Sequence, residues 1–130
     1  MSEAEPVWIR PDVVRAIHSR QIAEHGGADG IRDEGLLASA LDRPRNLHAY
    51  GDPRPDLAAL AAAYGYGIAR NHPFVDGNKR TALVLTRLFL ALNGATFAAS
   101  AASKYETMMR LASGEIDEDA FAAWVRAHLG

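Results

Sequence analysis

Apolar residues recur at helical spacing over six stretches of the chain. The first, residues 11–25, places Val13, Val14, Ile17 and Ile22 on roughly one face. Pro11 suits a first helical turn, and Gly26-Gly27 follow where a left-handed cap would close the helix. A second helix is predicted over 32–43 with Leu36, Leu37, Ala40 and Leu41 inward, ended by Pro44. Residues 45–55 are rich in proline and glycine and are predicted irregular. An irregular stretch that long inside a small domain is often functional. Asp56 suits the cap of a third helix over 57–69, apolar nearly all round and therefore central. After a break at Asn71-His72-Pro73, a fourth strongly apolar helix is predicted over 78–92, ending at Asn93-Gly94. Helices five and six are expected over 101–112 and 118–129, separated by Gly114, with Asp117 in the capping position. A short extended piece is expected at 7–9. The pattern predicts a single all-α domain over 1–130, with two greasy central helices joined by a short polar loop.

Composition agrees and narrows the function. Alanine and leucine dominate a chain that is 48% hydrophobic but only 8% aromatic, which favours packed helices over sheet. With no cysteine, disulfides and thiolate metal sites are excluded. The acidic start of the chain does not resemble a signal peptide, and no stretch approaches the roughly 20 apolar residues of a membrane span. A cytoplasmic protein is expected. A net charge of −2 gives no electrostatic reason to expect nucleic acid as a partner; protein or nucleotide fits better.

The loop between the two apolar helices reads His72-Pro73-Phe74-Val75-Asp76-Gly77-Asn78-Lys79-Arg80. Gly77 permits a sharp turn into the helix that starts at Asn78. The first free N–H groups of that helix point back into the loop and, with the macrodipole, form an anion site. Lys79 and Arg80 add full positive charge there, and arginine suits bidentate phosphate contact. Positive charge at a helix start opposes the dipole, so the pair costs stability until an anion arrives. Asp76 could hold a Mg²⁺ that also touches phosphate oxygens. Imidazole changes charge near neutral pH, so His72 suits a general base for a hydroxyl. Phe74 is expected to point inward and anchor the loop. A lone histidine or a basic helix start is usually just solvated; the concentration of all these groups on one loop is what points to chemistry.

Residues 72–80 resemble the signature of the Fic/Doc family, and the segment 30–40 with Arg43-Pro44 resembles the second helix of death-on-curing (Doc) toxins. Asn78 to Leu83 and Ser113 to Ile116 also match that subgroup. The resemblance implies that His72 deprotonates the target hydroxyl and Asp76 binds Mg²⁺. It also implies that Gly77, Asn78, Lys79 and Arg80 hold the phosphates of ATP. Arg70, two residues before the histidine, matches a further arginine of Doc toxins at the nucleotide. The stretch 45–55 would be the flap that positions the target chain. AMP-transferring Fic enzymes usually have glycine where this chain has Lys79; in Doc toxins lysine reverses the nucleotide and the γ-phosphate moves. Lys79 therefore favours a protein Ser/Thr kinase, although Pro73 and Gly77 are the Fic-like choices and leave AMP transfer as the alternative. A catalytically silent binding module is a third reading, opposed by the intact set of His72, Asp76, Asn78 and Arg80. The resemblance also implies elongation factor Tu as target, arrested translation as outcome, and a Phd-like antitoxin as partner. No inhibitory helix pattern occurs within the chain, since Ser19 and Glu24 are spaced one residue too far apart.

The remaining candidates have plainer explanations. His18, His25, His48 and His128 are scattered without metal spacing and are expected at surfaces or caps. Trp8 and Trp124 are expected as packing anchors, and Met108 and Met109 as core or groove residues.

Overall fold

A computed structural model describes residues 5–130 and contains α1 (Pro11–His25), α2 (Glu34–Tyr50), α3 (Leu57–Asn71), α4 (Asn78–Leu92), α5 (Ala101–Ser113) and α6 (Glu118–Ala127). The all-α, six-helix architecture expected from the sequence is the one observed. No strand appears among the described residues, only two isolated bridges, Ile31 with Phe74 and Phe97 with Leu129. Among the described residues no helix is long and apolar enough to cross a membrane.

α3 is the axis of the fold and packs against α2, α4, α5 and α6. Its sequence explains why. Small residues let neighbours approach closely, and Ala58, Ala61, Ala62, Ala63, Gly65, Gly67 and Ala69 are all buried. Gly65 is the tightest point: a Cβ there would lie 2.4 Å from Thr86 Oγ1 on α4 and 2.8 Å from Phe121 Cε2 on α6. The larger buried groups Leu60, Tyr64, Ile68, Leu85, Phe89, Leu111 and Phe121 fill the remaining core.

Residues 5–10 form no helix or strand but are tied down by side chains. Val7 N–H donates to Asn93 Oδ1 (2.8 Å), and Asn93 Nδ2 donates back to the Val7 carbonyl (3.0 Å). Ile9 N–H donates to the hydroxyl oxygen of buried Tyr64 (3.0 Å). The piece at 7–9, expected to be extended, pairs with no strand.

One boundary differs substantially. Pro44 was expected to end the second helix, yet α2 continues through it to Tyr50. Proline inside a helix forfeits a hydrogen bond and costs about 3 kcal/mol. Tertiary contacts beyond Pro44 offset this. Pro44 itself is buried, Leu47 packs on the core, His48 meets Trp8 edge-on (5.6 Å), and Arg45 lies over the Trp8 indole (5.3 Å). Residues 45–50 are thus helical, and the expected irregular flap shrinks to 51–55.

Candidate active site

α3 ends at Asn71 and α4 begins at Asn78; the loop between them carries His72 and Asp76, the first turn of α4 carries Asn78, Lys79 and Arg80, and Arg70 stands in the last turn of α3. His72 caps α3 in the left-handed conformation (φ 49, ψ 54), the only non-glycine residue with positive φ among the described residues. Such a conformation is unfavourable for a side chain with a Cβ and persists only when its surroundings impose it. The ring is exposed.

The loop backbone is fastened from both ends. Arg32 donates through Nε to the His72 carbonyl (2.7 Å) and through Nη2 to the Asn71 carbonyl (2.9 Å). The backbone N–H groups of Arg32 and Asp33 donate to the Pro73 carbonyl (2.7 and 3.1 Å), and Val75 N–H donates to the Gly30 carbonyl (3.1 Å). Phe74 is buried, as expected, and stacks on His18 with ring centroids 3.8 Å apart and planes 6° from parallel. His18 is therefore a correction: it is 2% exposed rather than a surface or capping residue. Its Nε2 lies 2.8 Å from the Asp76 carbonyl, which can only accept, so the ring proton sits on Nε2. Its contact partners lie 56 and 58 positions away along the chain, at Phe74 and Asp76, so no local pattern could reveal it.

Asn78 is buried, and both ends of its amide are occupied within the loop. Phe74 N–H donates to Oδ1 (3.1 Å), and Nδ2 donates to the Phe74 carbonyl (3.0 Å). What Asn78 can offer an anion is its backbone N–H at the first position of α4. Gly77 makes the turn at φ 78, and α4 has no side-chain cap and no acid in its first turn. Its opening N–H groups, which no helix can pair internally, face outward beside exposed Lys79 and Arg80. The structure thus gathers Gly77, Asn78, Lys79 and Arg80 at one positive helix start, with His72 and Asp76 on the same loop.

A groove of about 570 Å³ opens from that start. Gly77, Asn78, Lys79, Arg80 and Leu83 form one wall; Ala101, Lys104, Tyr105, Met108 and Met109 of α5 form the other. Met108 is buried, whereas Tyr105 and Met109 are exposed along it. Sequence reasoning left Tyr105 and Lys104 out, because only the packing of α5 on α4 brings them there. Arg70 does not line this groove. Its guanidinium sits over the Tyr66 ring (5.8 Å) and against Gly114, where an added Cβ would lie 3.3 Å from Nη1.

Asp76 is exposed, and its Oδ2 accepts from Ala28 N–H (2.9 Å), which orients the carboxylate. No cluster of three or more His, Cys, Asp or Glu that could hold a metal exists among the described residues. A cage made wholly of protein is therefore not available. A single oriented carboxylate does fit Mg²⁺ arriving with a nucleotide, since that ion commonly takes one or two carboxylates and completes its shell with phosphate and water.

The chain matches the Fic/DOC family over residues 8–90, which spans α1 through nearly all of α4. It is 43% identical over 101 residues to a protein of Mycolicibacterium smegmatis named Toxin Doc, covering 75% of this chain and 77% of that one. It is 38% identical over 86 residues to the Protein kinase doc of Escherichia phage P1, covering 66% and 68%.

Proposed function

Because this chain belongs to the Fic/DOC family, we propose that it is the toxin of a toxin–antitoxin system. We propose further that it acts as a protein kinase, moving the γ-phosphate of ATP to a Ser or Thr hydroxyl of a translation factor. Elongation factor Tu is the proposed target and a Phd-like antitoxin the proposed partner. The names of the two relatives, one a toxin and one a protein kinase, support the class. The observation that carries the chemistry is the start of α4: uncapped, cationic through Lys79 and Arg80, and reached by the loop that holds His72.

In this reading the phosphates lie on the N–H groups of Gly77 and Asn78 and on the side chains of Lys79 and Arg80. Arg80 offers a planar fork and Lys79 a point charge. The rest of the nucleotide extends into the groove between α4 and α5. His72 takes the proton of the target hydroxyl as its oxygen attacks the γ-phosphorus, the bond to the β-phosphate oxygen breaks and ADP leaves. Mg²⁺, when bound with ATP at Asp76, supplies neutralisation of phosphate charge. Positioning and charge stabilisation account for most of the catalysis in phosphoryl transfer generally, and the loop offers both.

The test is the intact mass of purified elongation factor Tu after incubation with the protein, ATP and Mg²⁺, with His72→Ala alongside. The expected result is a gain of one phosphoryl group that falls by about 10²- to 10⁴-fold in rate with His72→Ala, at an unchanged melting temperature. A gain of one AMP would keep His72 as base and overturn the role given to Lys79. Wild-type rates with His72→Ala would overturn the base.

A further inference from the structure

We propose that Arg32 is a positioning residue for His72, holding the base in the conformation in which it works. The inference rests on the reading of His72 as the base. It begins from the backbone: helices that end in a left-handed residue usually place glycine there. Here a histidine occupies that position at φ 49, so something must hold it.

Arg32 is placed to do so. Its Nε and Nη2 grip the carbonyls of His72 and Asn71 at 2.7 and 2.9 Å, at the negative end of the α3 dipole. A planar guanidinium that binds two consecutive carbonyls fixes the peptide plane between them and the one that follows. Its own N–H takes the Pro73 carbonyl at 2.7 Å, so three successive carbonyls, 71 to 73, are held by one residue. Fixing the peptide planes on both sides of His72 fixes its Cα–Cβ direction, and hence where the imidazole stands relative to the start of α4.

A plain helix cap would lend stability only. A positioning residue acts on turnover while leaving the phosphate site intact, because that site is built on α4 and Arg32 does not touch it. The test uses Arg32→Ala and Arg32→Lys, with Asp56→Ala as a variant destabilised at the opposite end of α3. Turnover at saturating ATP and target, ATP affinity by calorimetry, and the imidazole resonances of His72 by NMR are measured together. The His72 resonances are identified by their absence in His72→Ala.

For Arg32→Ala, turnover is expected to fall about 10- to 100-fold with ATP affinity within about twofold of wild type. The His72 resonances shift or broaden. Arg32→Lys, which restores charge without the fork, recovers part of the turnover, and Asp56→Ala keeps both turnover and the His72 signal. A parallel loss of turnover in Arg32→Ala and Asp56→Ala would reduce Arg32 to a structural cap and overturn the proposal. The NMR comparison needs no target protein, so it decides the question even if elongation factor Tu is not modified. His72 resonances identical in wild type and Arg32→Ala overturn the positioning role; displaced resonances support it whichever group is transferred.

Discussion

α3 and α4 are helices of equal length, 15 residues each, packed side by side in the core, yet they begin in opposite ways. α3 starts at Asp56, whose carboxylate accepts from Ala59 N–H (2.8 Å) and binds the Arg126 guanidinium through two contacts (2.7 and 3.0 Å). Cap, dipole and counter-charge are all satisfied within the protein. α4 starts at Gly77 with no cap, and its first turn carries Lys79 and Arg80 against the dipole. Asp33, Ser100 and Asp117 cap α2, α5 and α6 as Asp56 caps α3, so the fold readily closes a helix start when it needs to. The contrast teaches that a helix end can serve stability or binding, and that the second use leaves donors and charge waiting for an anion.

The strongest way to break the comparison is to separate the two helices. Gly65→Ala would drive a methyl into the side chains of Thr86 and Phe121, both fully buried in the core. Overpacking of this severity is expected to cost about 3 kcal/mol or more, seen as a loss of cooperative unfolding or a steep fall in the denaturation midpoint. Activity would then fall with the fold, unlike any change confined to the loop.

Next in size, Arg80→Ala would remove the charged contact proposed for phosphate. Affinity for ATP is expected to weaken by about 2 kcal/mol, read by calorimetry, while the melting temperature holds or rises because a charge opposing the dipole is gone. A variant that lost stability in step with binding would mean that Arg80 belongs to the scaffold.

Asp56→Ala sharpens the other half. Loss of the cap is expected to cost about 1 kcal/mol in thermal or denaturant unfolding, with ATP affinity unchanged. The same residue gives a smaller pH effect. The bonds from Arg126 hold the Asp56 carboxyl below its usual range; burial works against them, and the Ala59 N–H adds to them. A depressed folded value means the contribution is present above the ordinary aspartate range, near pH 4, and is lost as pH falls through the folded value. Because the carboxylate is half exposed, at 51%, the effect amounts to a few tenths of a kcal/mol. Comparing acid unfolding of wild type and Asp56→Asn would isolate it.

Much of this was legible in the sequence because it is local. The start of α4 at Asn78, the caps Asp56 and Asp117, the stops at Gly26 and Gly114, and the inward Phe74 all follow from a residue and its near neighbours. The misses are contacts between distant segments. Pro44 looked like a helix end because what carries α2 past it is Trp8, on the other side of His48. His18 looked like a surface residue because the loop it stacks under lies 56 positions away at Phe74.

In the proposed function the start of α4, unlike that of α3, receives the phosphates of a nucleotide. Calorimetric titration of ATP with Mg²⁺ into wild type, Arg80→Ala and Asp56→Ala tests it most directly. Wild-type affinity is expected in Asp56→Ala and a loss of roughly 30-fold in Arg80→Ala, the factor that corresponds to about 2 kcal/mol. Equal affinity in wild type and Arg80→Ala would contradict it.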